Sequence, residues 1–549
     1  MNTSIVAAAL CSAIALPTIH AAELPYIKIS SDQIIRDAKV VAEKSPASEE
    51  SAIAGSAQDS ICGLAAGAWY GQPAPGAGGG TLSPTAFANP AEVNSSGKIA
   101  FYSQVLGSTR NQGIFVADSS GVSAIVRGCG GGGGSGNPGT CGDPSPVGGT
   151  FSGFFSGTFF APDINNAGDV LFFADVTGGS APRGLFLYKA ATQSIVKVAA
   201  VGDPSPIGGT FAAVGPGSLN NDNMVVFLAS PTGTTNSNVF RWNNGVITNI
   251  AKIGDPAPGG GTFMLLGTES LGFPDGTNIP VGPVPDVNDL GNIAFRAIVS
   301  GGITDRGLIV SIFGNNDWYV KSGDAVPGGG TYFDFQAPSI NNLGQIAFFA
   351  DYHPSPGNSS SGWFAGMPGA TPAPGNFRKV LAFFDPLDGG ICFGLAFSRN
   401  PMQSIDNAGN VIIWTDVQLS GSGAMQERML INKPDGTFLT IAKLGDPTPL
   451  GGTFGTMDAW PSMTSCRGRL GAATPGAPGG ILNAQFVFTR CKPGDANGDC
   501  IVNVDDLLAV INAWGPCPNC PATFCPADLT GDCTVNVDDL LNVINHWGM

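Results

Sequence analysis

From residue 71 to residue 490, apolar positions cluster in short runs of four to seven residues, such as DVLFFAD (169–175), GLFLY (184–188) and IVKVAAV (195–201). The runs are rich in Phe, Val, Ile and Leu, and Gly, Pro, Asn or Asp interrupts them. With almost no 3.6-residue periodicity, they read as buried strands joined by tight turns.

The strands come in repeats. G-D-P-x-P-x-G-G-T-F recurs with Asp143, Asp203, Asp255 and Asp446, a variant includes Asp324, a weaker cousin includes Asp385, and GQPAPGAGGGTL opens the series at Gly71. A second phrase lies between these: NSSGKIAF from Asn94, NAGDVLF from Asn166, NNDNMVVF from Asn220, NDLGNIAF from Asn288, NNLGQIAF from Asn341 and DNAGNVII from Asp406. Asn-x-x-Gly is a turn, because Asn bonds its own backbone and Gly supplies positive φ. Repeats of about 50–70 residues with three to four strands each predict propeller blades, since solenoid coils are shorter.

The last repeat, from Gly445, lacks its final strand, and the segment ICGLAAGAWYGQP at residue 61 resembles that missing piece. Pairing the two would close the ring without an exposed edge. The fold expected is therefore mainly β, a seven-bladed β-propeller closed by an N-terminal strand. Insertions at 267–285 and 352–390 leave six or eight blades open. Closure would place Cys62 and Cys466 in one blade, where they could bridge, and Cys129 and Cys141 flank a glycine-rich loop that a disulfide would pin. The array resembles the tandem NxxGxxAF-repeat proteins of bacterial surfaces, a likeness that implies architecture rather than activity.

The tail, residues 491–549, has a different pattern. DANGDCIVNVDDLLAVINAWG from Asp495 recurs as DLTGDCTVNVDDLLNVINHWG from Asp528. Each copy places oxygen-bearing side chains at loop positions 1, 3, 5, 9 and 12: Asp495, Asn497, Asp499, Asn503 and Asp506, then Asp528, Thr530, Asp532, Asn536 and Asp539. With the position-7 carbonyls of Ile501 and Thr534, these could wrap one hard cation per loop, two Ca²⁺ in all. Val504, Leu507, Leu508, Ile511 and Trp514 form a helical stripe after the first loop; Val537, Leu540, Leu541, Ile544 and Trp547 repeat it, and Gly515 and Gly548 stand where each helix would end.

This duplicated loop-plus-helix resembles the type I dockerin domain. The resemblance implies a small α-helical, calcium-stabilised docking module with partner recognition at loop positions 10 and 11, here Val504, Asp505, Val537 and Asp538, and a cohesin-like or other surface protein as partner. Position 6, normally Gly, is Cys500 in one loop and Cys533 in the other. A left-handed non-Gly residue costs about 1–2 kcal/mol, and the matched swap suggests that these two cysteines pair.

Residues 1–22 read as a signal peptide, with an apolar run over 5–19, and 23–57 as a polar arm. The propeller then occupies 58–490. Apart from Cys11 there are eleven cysteines, seven of them between Cys466 and Cys533, a density that suits an oxidising compartment. Cys517, Cys520 and Cys525 could bind zinc, but without a nearby His disulfides fit better. The odd total leaves at least one thiol free or paired between chains. The predicted location is secreted or cell-surface, without a transmembrane anchor.

Net charge is −16, and the tail has one Lys against eight Asp, so nucleic acid is a poor partner. Between Ser56 and Arg490 there are three Glu (Glu92, Glu269, Glu427) and a single His, His353, in a Pro- and Ser-rich insertion. That excludes a His-ligated metal there and leaves no frame for a Ser-His-Asp set. The repeated Asp of G-D-P reads as a turn former, with a ring of cation- or sugar-binding acids as the alternative. Trp242, Trp318, Trp363, Trp414 and Trp460 read as packing between blades, with sugar stacking as the alternative. The sequence thus points to a non-enzymatic binding or scaffold protein. The alternative is a carbohydrate-active enzyme or polysaccharide-binding protein carried by the same tail.

Overall fold

The computed structural model describes residues 61–548 apart from 84–89, 119, 131–140, 155–159, 235–236, 268, 273–277, 356–357, 367–375, 397–401, 491, 498–501, 518–524, 526 and 531. The signal-peptide and arm readings lie outside the described residues.

Seven antiparallel sheets follow one another along the chain, six of them within 81–128, 150–200, 211–251, 262–321, 331–382 and 386–443. The seventh combines Ser462–Met463, Arg467–Ala473 and Asn483–Arg490 with the N-terminal strand Ile61–Trp69. The closing register runs from Ile61 opposite Arg490 to Trp69 opposite Ala484. The protein is a seven-bladed β-propeller with its outermost last strand supplied from the start of the chain. The insertion in blade 4 does not add a blade. It folds as a ribbon, Glu269–Gly272 with Asn278–Gly282, whose Ile279 and Val281 are buried in the core of blades 2 and 3.

Both repeated phrases end in an aromatic residue because the two meet inside a blade. In blade 2 Phe151, from G-G-T-F, stands edge-on to Phe186 with centroids 5.1 Å apart, while Phe172 stacks on Phe186 at 5.9 Å. Phe211, Phe240 and Phe227 repeat this in blade 3, as do Tyr332, Phe364 and Phe348 in blade 5. Edge-on and offset pairs are the favoured arrangements of aromatic quadrupoles, worth about 0.5–1.5 kcal/mol beyond burial.

The G-D-P phrase is the crossover between blades. Gly202, at φ 91°, donates its N–H to Phe211 O at 2.8 Å, and Asp203 accepts from Ala200 N–H (2.8 Å) and Lys197 Nζ (2.6 Å). Asp324 and Asp385 make the same two contacts, with Lys321 and Lys379 as their cations. These acids are turn formers.

The second phrase joins blades at the axis. Asn94 donates its side-chain amide to Asn165 O (3.0 Å), Asn165 to Asn220 O (3.3 Å), and Asn220 to Asn288 O (2.9 Å). Asn288 donates to Asn341 O (2.9 Å), and Asn341 to Asp406 O (2.8 Å). In blade 2 the relay residue is Asn165, one position before the Asn166 that the phrase suggested. Asp406 has no side-chain amide to pass on; instead Arg490, at the end of Asn483–Arg490, pairs with its Oδ2 at 2.7 Å, and both side chains are buried. Ser462 then reaches Ala91 O at 3.3 Å, linking blade 7 to blade 1.

Cys129 pairs with Cys141 across the glycine-rich loop. Cys62 and Cys466, both in blade 7, are each disulfide-bonded. Among the described residues Cys392 is a free, buried thiol. No helix among the described residues is long and apolar enough to cross a membrane.

Arg490→Met should destabilise the fold by about 3–5 kcal/mol, because it strands a buried carboxylate. Adding Asp406→Asn, the residue that blades 1 to 5 use, should restore most of that in urea unfolding. An equal loss in single and double variants would show that the pair does not carry the blade 6–7 contact.

Candidate functional site

The turns of the second phrase surround a cavity of about 410 Å³ on the axis. Its rim is a second relay, one residue after the first. Ser95 N–H donates to Asn166 Oδ1, Asn166 N–H to Asn221 Oδ1, and Asn221 N–H to Asp289 Oδ1, at 2.8–2.9 Å. Asp289 N–H donates to Asn342 Oδ1 at 2.9 Å, and Asn342 N–H to Asn407 Oδ1 at 3.0 Å. Blades 2 to 6 thus each offer a side-chain oxygen to the backbone of the preceding blade.

Deeper in the channel lie the residues two before each relay position. Strand alternation places i and i−2 on one face, so Glu92, Asp163, Ser218, Asp286, Ser339, Ser404 and Ser462 form an inner ring. Three blades carry an acid and four a serine. The ring also ties blades together: Asp163 accepts from Leu219 N–H (2.7 Å), and Asp286 accepts from Ser218 Oγ (2.6 Å) and Ile340 N–H (2.8 Å). Asp286 is fully satisfied. Asp163 Oδ1 and Glu92 Oε2, on adjacent blades, are buried without a hydrogen-bond partner.

Burial pushes the Asp163 carboxyl up to about 7 and that of Asp286 to about 6. Glu92 is held well above the usual carboxylate range by burial and then by the neighbouring Asp163. Low dielectric disfavours the charged form, and two adjacent carboxyls disfavour it further. Asp163 and Asp286 line the same cavity. The ring is legible in the sequence as E-V-N, D-I-N, S-L-N, D-V-N, S-I-N, S-I-D and S-M-T, but its residues precede the repeated phrase and vary between acid and serine, so the repeat alone does not single them out.

Other candidates resolve differently. His353 Nδ1 meets Asn358 O at 3.0 Å and Ser359 Oγ at 3.3 Å, and its ring stacks on Phe333; among the described residues no acid is hydrogen-bonded to it, so no Ser-His-Asp set forms. The side chain of Glu269 lies outside the described residues. Trp242 and Trp363 are buried, and the indoles of Trp318 and Trp363 donate to Pro258 O and Ala396 O at 2.7 and 2.9 Å. Trp414 donates to Glu427 at 3.4 Å. These aromatics pack between blades.

In the tail, two nine-residue helices, Val504–Asn512 and Val537–Asn545, stand where the periodicity put them, each with an Asn–Asp capping box. Asp506 accepts from Ala496 and Asn503 N–H, both at 2.8 Å, and Asp539 from Thr530 (2.9 Å) and Asn536 (2.8 Å) N–H. Asp528 takes the N–H of Asp532 (3.1 Å) and Cys533 (2.8 Å), which curls the second loop. Cys533 sits at φ 69° and is disulfide-bonded; Asp499, Cys500 and Ile501 lie outside the described residues. Cys517 pairs with Cys525. Among the described residues no three His, Cys, Asp or Glu side chains are grouped to hold a metal. The loop donors are nonetheless all oxygens, and an oxygen that accepts one N–H keeps a second lone pair for a hard cation. The helical stripe divides. Of its members only Leu507 and Leu540 pack inward, against the buried Val510 and Val543 outside the stripe, whereas Val504, Leu508, Ile511 and Trp514 and their counterparts Val537, Leu541, Ile544 and Trp547 are about half exposed.

A family model described as a family of unknown function (DUF7453) matches residues 139–306, 208–370 and 267–458, overlapping windows that advance about one blade at a time. The match ends before the tail. No curated protein matches the chain. Among solved structures, the chain is similar to polysaccharide lyase Uly1 at 9% identity and TM-score 0.34, over 74% of this chain and 90% of that one. An α-L-arabinanase from Penicillium chrysogenum matches at 11% identity and TM-score 0.29, over 60% and 93%. A prolyl endopeptidase matches at 10% identity and TM-score 0.34 over 73% of this chain, which spans about half (47%) of that protein's length. The expectation of a non-enzymatic protein is corrected here. The propellers matched include enzymes, and the scarcity of Glu and His that motivated the expectation overlooked acids placed by the inner strands.

Asp163 should be protonated in the folded state up to about pH 7, whereas it ionises near 3.9 when unfolded. Its contribution to stability is therefore greatest below pH 4 and is lost as pH rises towards 7. Urea unfolding at pH 4.5, 5.5 and 6.5 should show Asp163→Asn gaining on the wild type by up to about 1.4 kcal/mol per pH unit. A constant difference would mean that Asp163 is ionised throughout.

Proposed function

The chain belongs to the family of unknown function DUF7453, and from that premise we propose that it is a polysaccharide-directed protein whose axial cavity receives a saccharide unit. One observation carries this reading: Asp163 and Asp286 share a single cavity, held partly protonated by burial, beneath a rim of Asn and Asp side chains. Carboxyl, amide and hydroxyl groups are the chemistry that reads sugar hydroxyls. A carboxyl titrating near neutral pH can also give a proton to a leaving oxygen while a second accepts one from water. The volume falls at the low end of ligand sites, roughly 300–1,000 Å³. Asp163 is the acid in this reading and Asp286 the base.

The tail, dockerin-like in its duplicated loops, would hold two Ca²⁺ ions. Asp495, Asn497, Asp499, Ile501, Asn503 and Asp506 would take one; Asp528, Thr530, Asp532, Thr534, Asn536 and Asp539 the other. Val504, Asp505, Val537 and Asp538, with the exposed apolar helix faces, would meet a cohesin-like or other surface protein. The disulfides and the lack of a membrane-spanning helix among the described residues support a secreted or cell-surface location.

Affinity electrophoresis in soluble polysaccharides, with assay of new reducing ends, tests the cavity. Retardation by at least one glycan is expected, weakened tenfold or more in Asp163→Asn and Asp286→Asn; absence of any retardation overturns the reading. For the tail, calorimetry on the full chain should find two calcium sites, one lost in Asp495→Ala and the other in Asp528→Ala. Unchanged stoichiometry in these variants would place the ions elsewhere.

A further inference from the structure

We infer that the axial cavity selects uncharged glycan chains and rejects polyuronates and other anionic polymers. The inference rests on the saccharide reading of the cavity and adds the class of chain it takes.

The argument is the charge inventory of the cavity wall. Asp163, Asp286, Asp289 and Asp406 line it, and Lys492 is the one cation among the described lining residues. Asp406 is neutralised by Arg490 at 2.7 Å. Asp289 is not. Its carboxylate accepts from Asn221 N–H and from the side-chain amides of Asn221 (2.9 Å) and Asn342 (2.7 Å), all neutral donors. A carboxylate held by neutral donors alone therefore stands at the rim, where any chain entering the channel must pass.

Below it, Asp163 and Asp286 offer oxygens with no facing Arg. Recognition of a sugar carboxylate relies on a charge-assisted fork, supplied by Arg or by clustered Lys. The wall instead presents amides, serines and carboxyls, which suit hydroxyl and ether oxygens. A uronate would lose its water shell against like charge, and focusing between low-dielectric walls sharpens that repulsion.

The repulsion depends on pH and salt in a defined sense. As pH rises through 6 and 7, Asp286 and then Asp163 ionise, so discrimination against an anionic chain should widen. Raising salt should narrow it, because rim charges are screened.

Matched polymer pairs on one backbone test this with the full-length protein: methyl-esterified against de-esterified homogalacturonan, and hydroxyethyl- against carboxymethyl-cellulose. In whichever pair binds, the uncharged member should bind on the order of tenfold more tightly at pH 7. Asp289→Asn should reduce that ratio, and 0.5 M salt should reduce it too. Equal or tighter binding of the anionic member would overturn the inference while leaving the saccharide reading intact. If neither member of any pair binds and other glycans also fail, the saccharide reading itself falls, and the selection with it.

Discussion

Blades of a propeller share no backbone ladder, so something other than sheet pairing must set how each blade meets the next. Here it is a buried side-chain amide. The relay Asn residues and Asp406 are each no more than 4% exposed, and each asparagine Nδ2 is spent on a carbonyl of the next blade. The aromatic packing between blades is strong but hardly directional. The relay is directional, and an unmade bond at such depth costs about 1–3 kcal/mol. Blade 6, which breaks the pattern, shows the constraint: Asp406 replaces the amide, and Arg490 supplies the missing donor from the closing blade.

The cavity follows from that constraint. Once the relay fixes the turns on the axis, the residue after each Asn falls on the rim and the residue two before it falls on the channel wall. The relay does not dictate what those flanking residues are. Four blades carry serine at this position and three an acid, and Asp163, Ser218, Asp286 and Ser339 of these line the cavity, so the chemistry is set into slots that repetition keeps open. Burial then gives the acids their character, because Asp163 and Glu92 stand side by side, each with a carboxyl oxygen unsatisfied.

The tail is built on another logic. Two copies of one loop and helix face each other around small apolar residues, Val502, Val510, Val535 and Val543, while the larger apolar residues turn outward. A helix of nine residues gains little from its own propensity, so the capping boxes and loop bonds of Asp506 and Asp539 contribute much of its definition.

Much of the fold was readable in the linear chain because its determinants are local and repeated. The strand runs, the Asn-x-x-Gly turns, the G-D-P crossovers and the missing last strand each involve neighbouring residues, and seven copies make the pattern plain. By itself, then, the sequence determined a propeller ring, its closure by the segment from residue 61 and the two tail helices, because each follows from spacing along one chain, while the insertions left the count of seven to the structure. Only the tertiary structure decided that Asp163 and Asp286 share a cavity, that Arg490 serves Asp406, and that four of the five residues in each tail stripe face out. Those facts join residues 84 to 123 positions apart, or depend on which side of a helix finds a neighbour. Burial and proximity across the axis belong to the closed ring, and no local spacing encodes them.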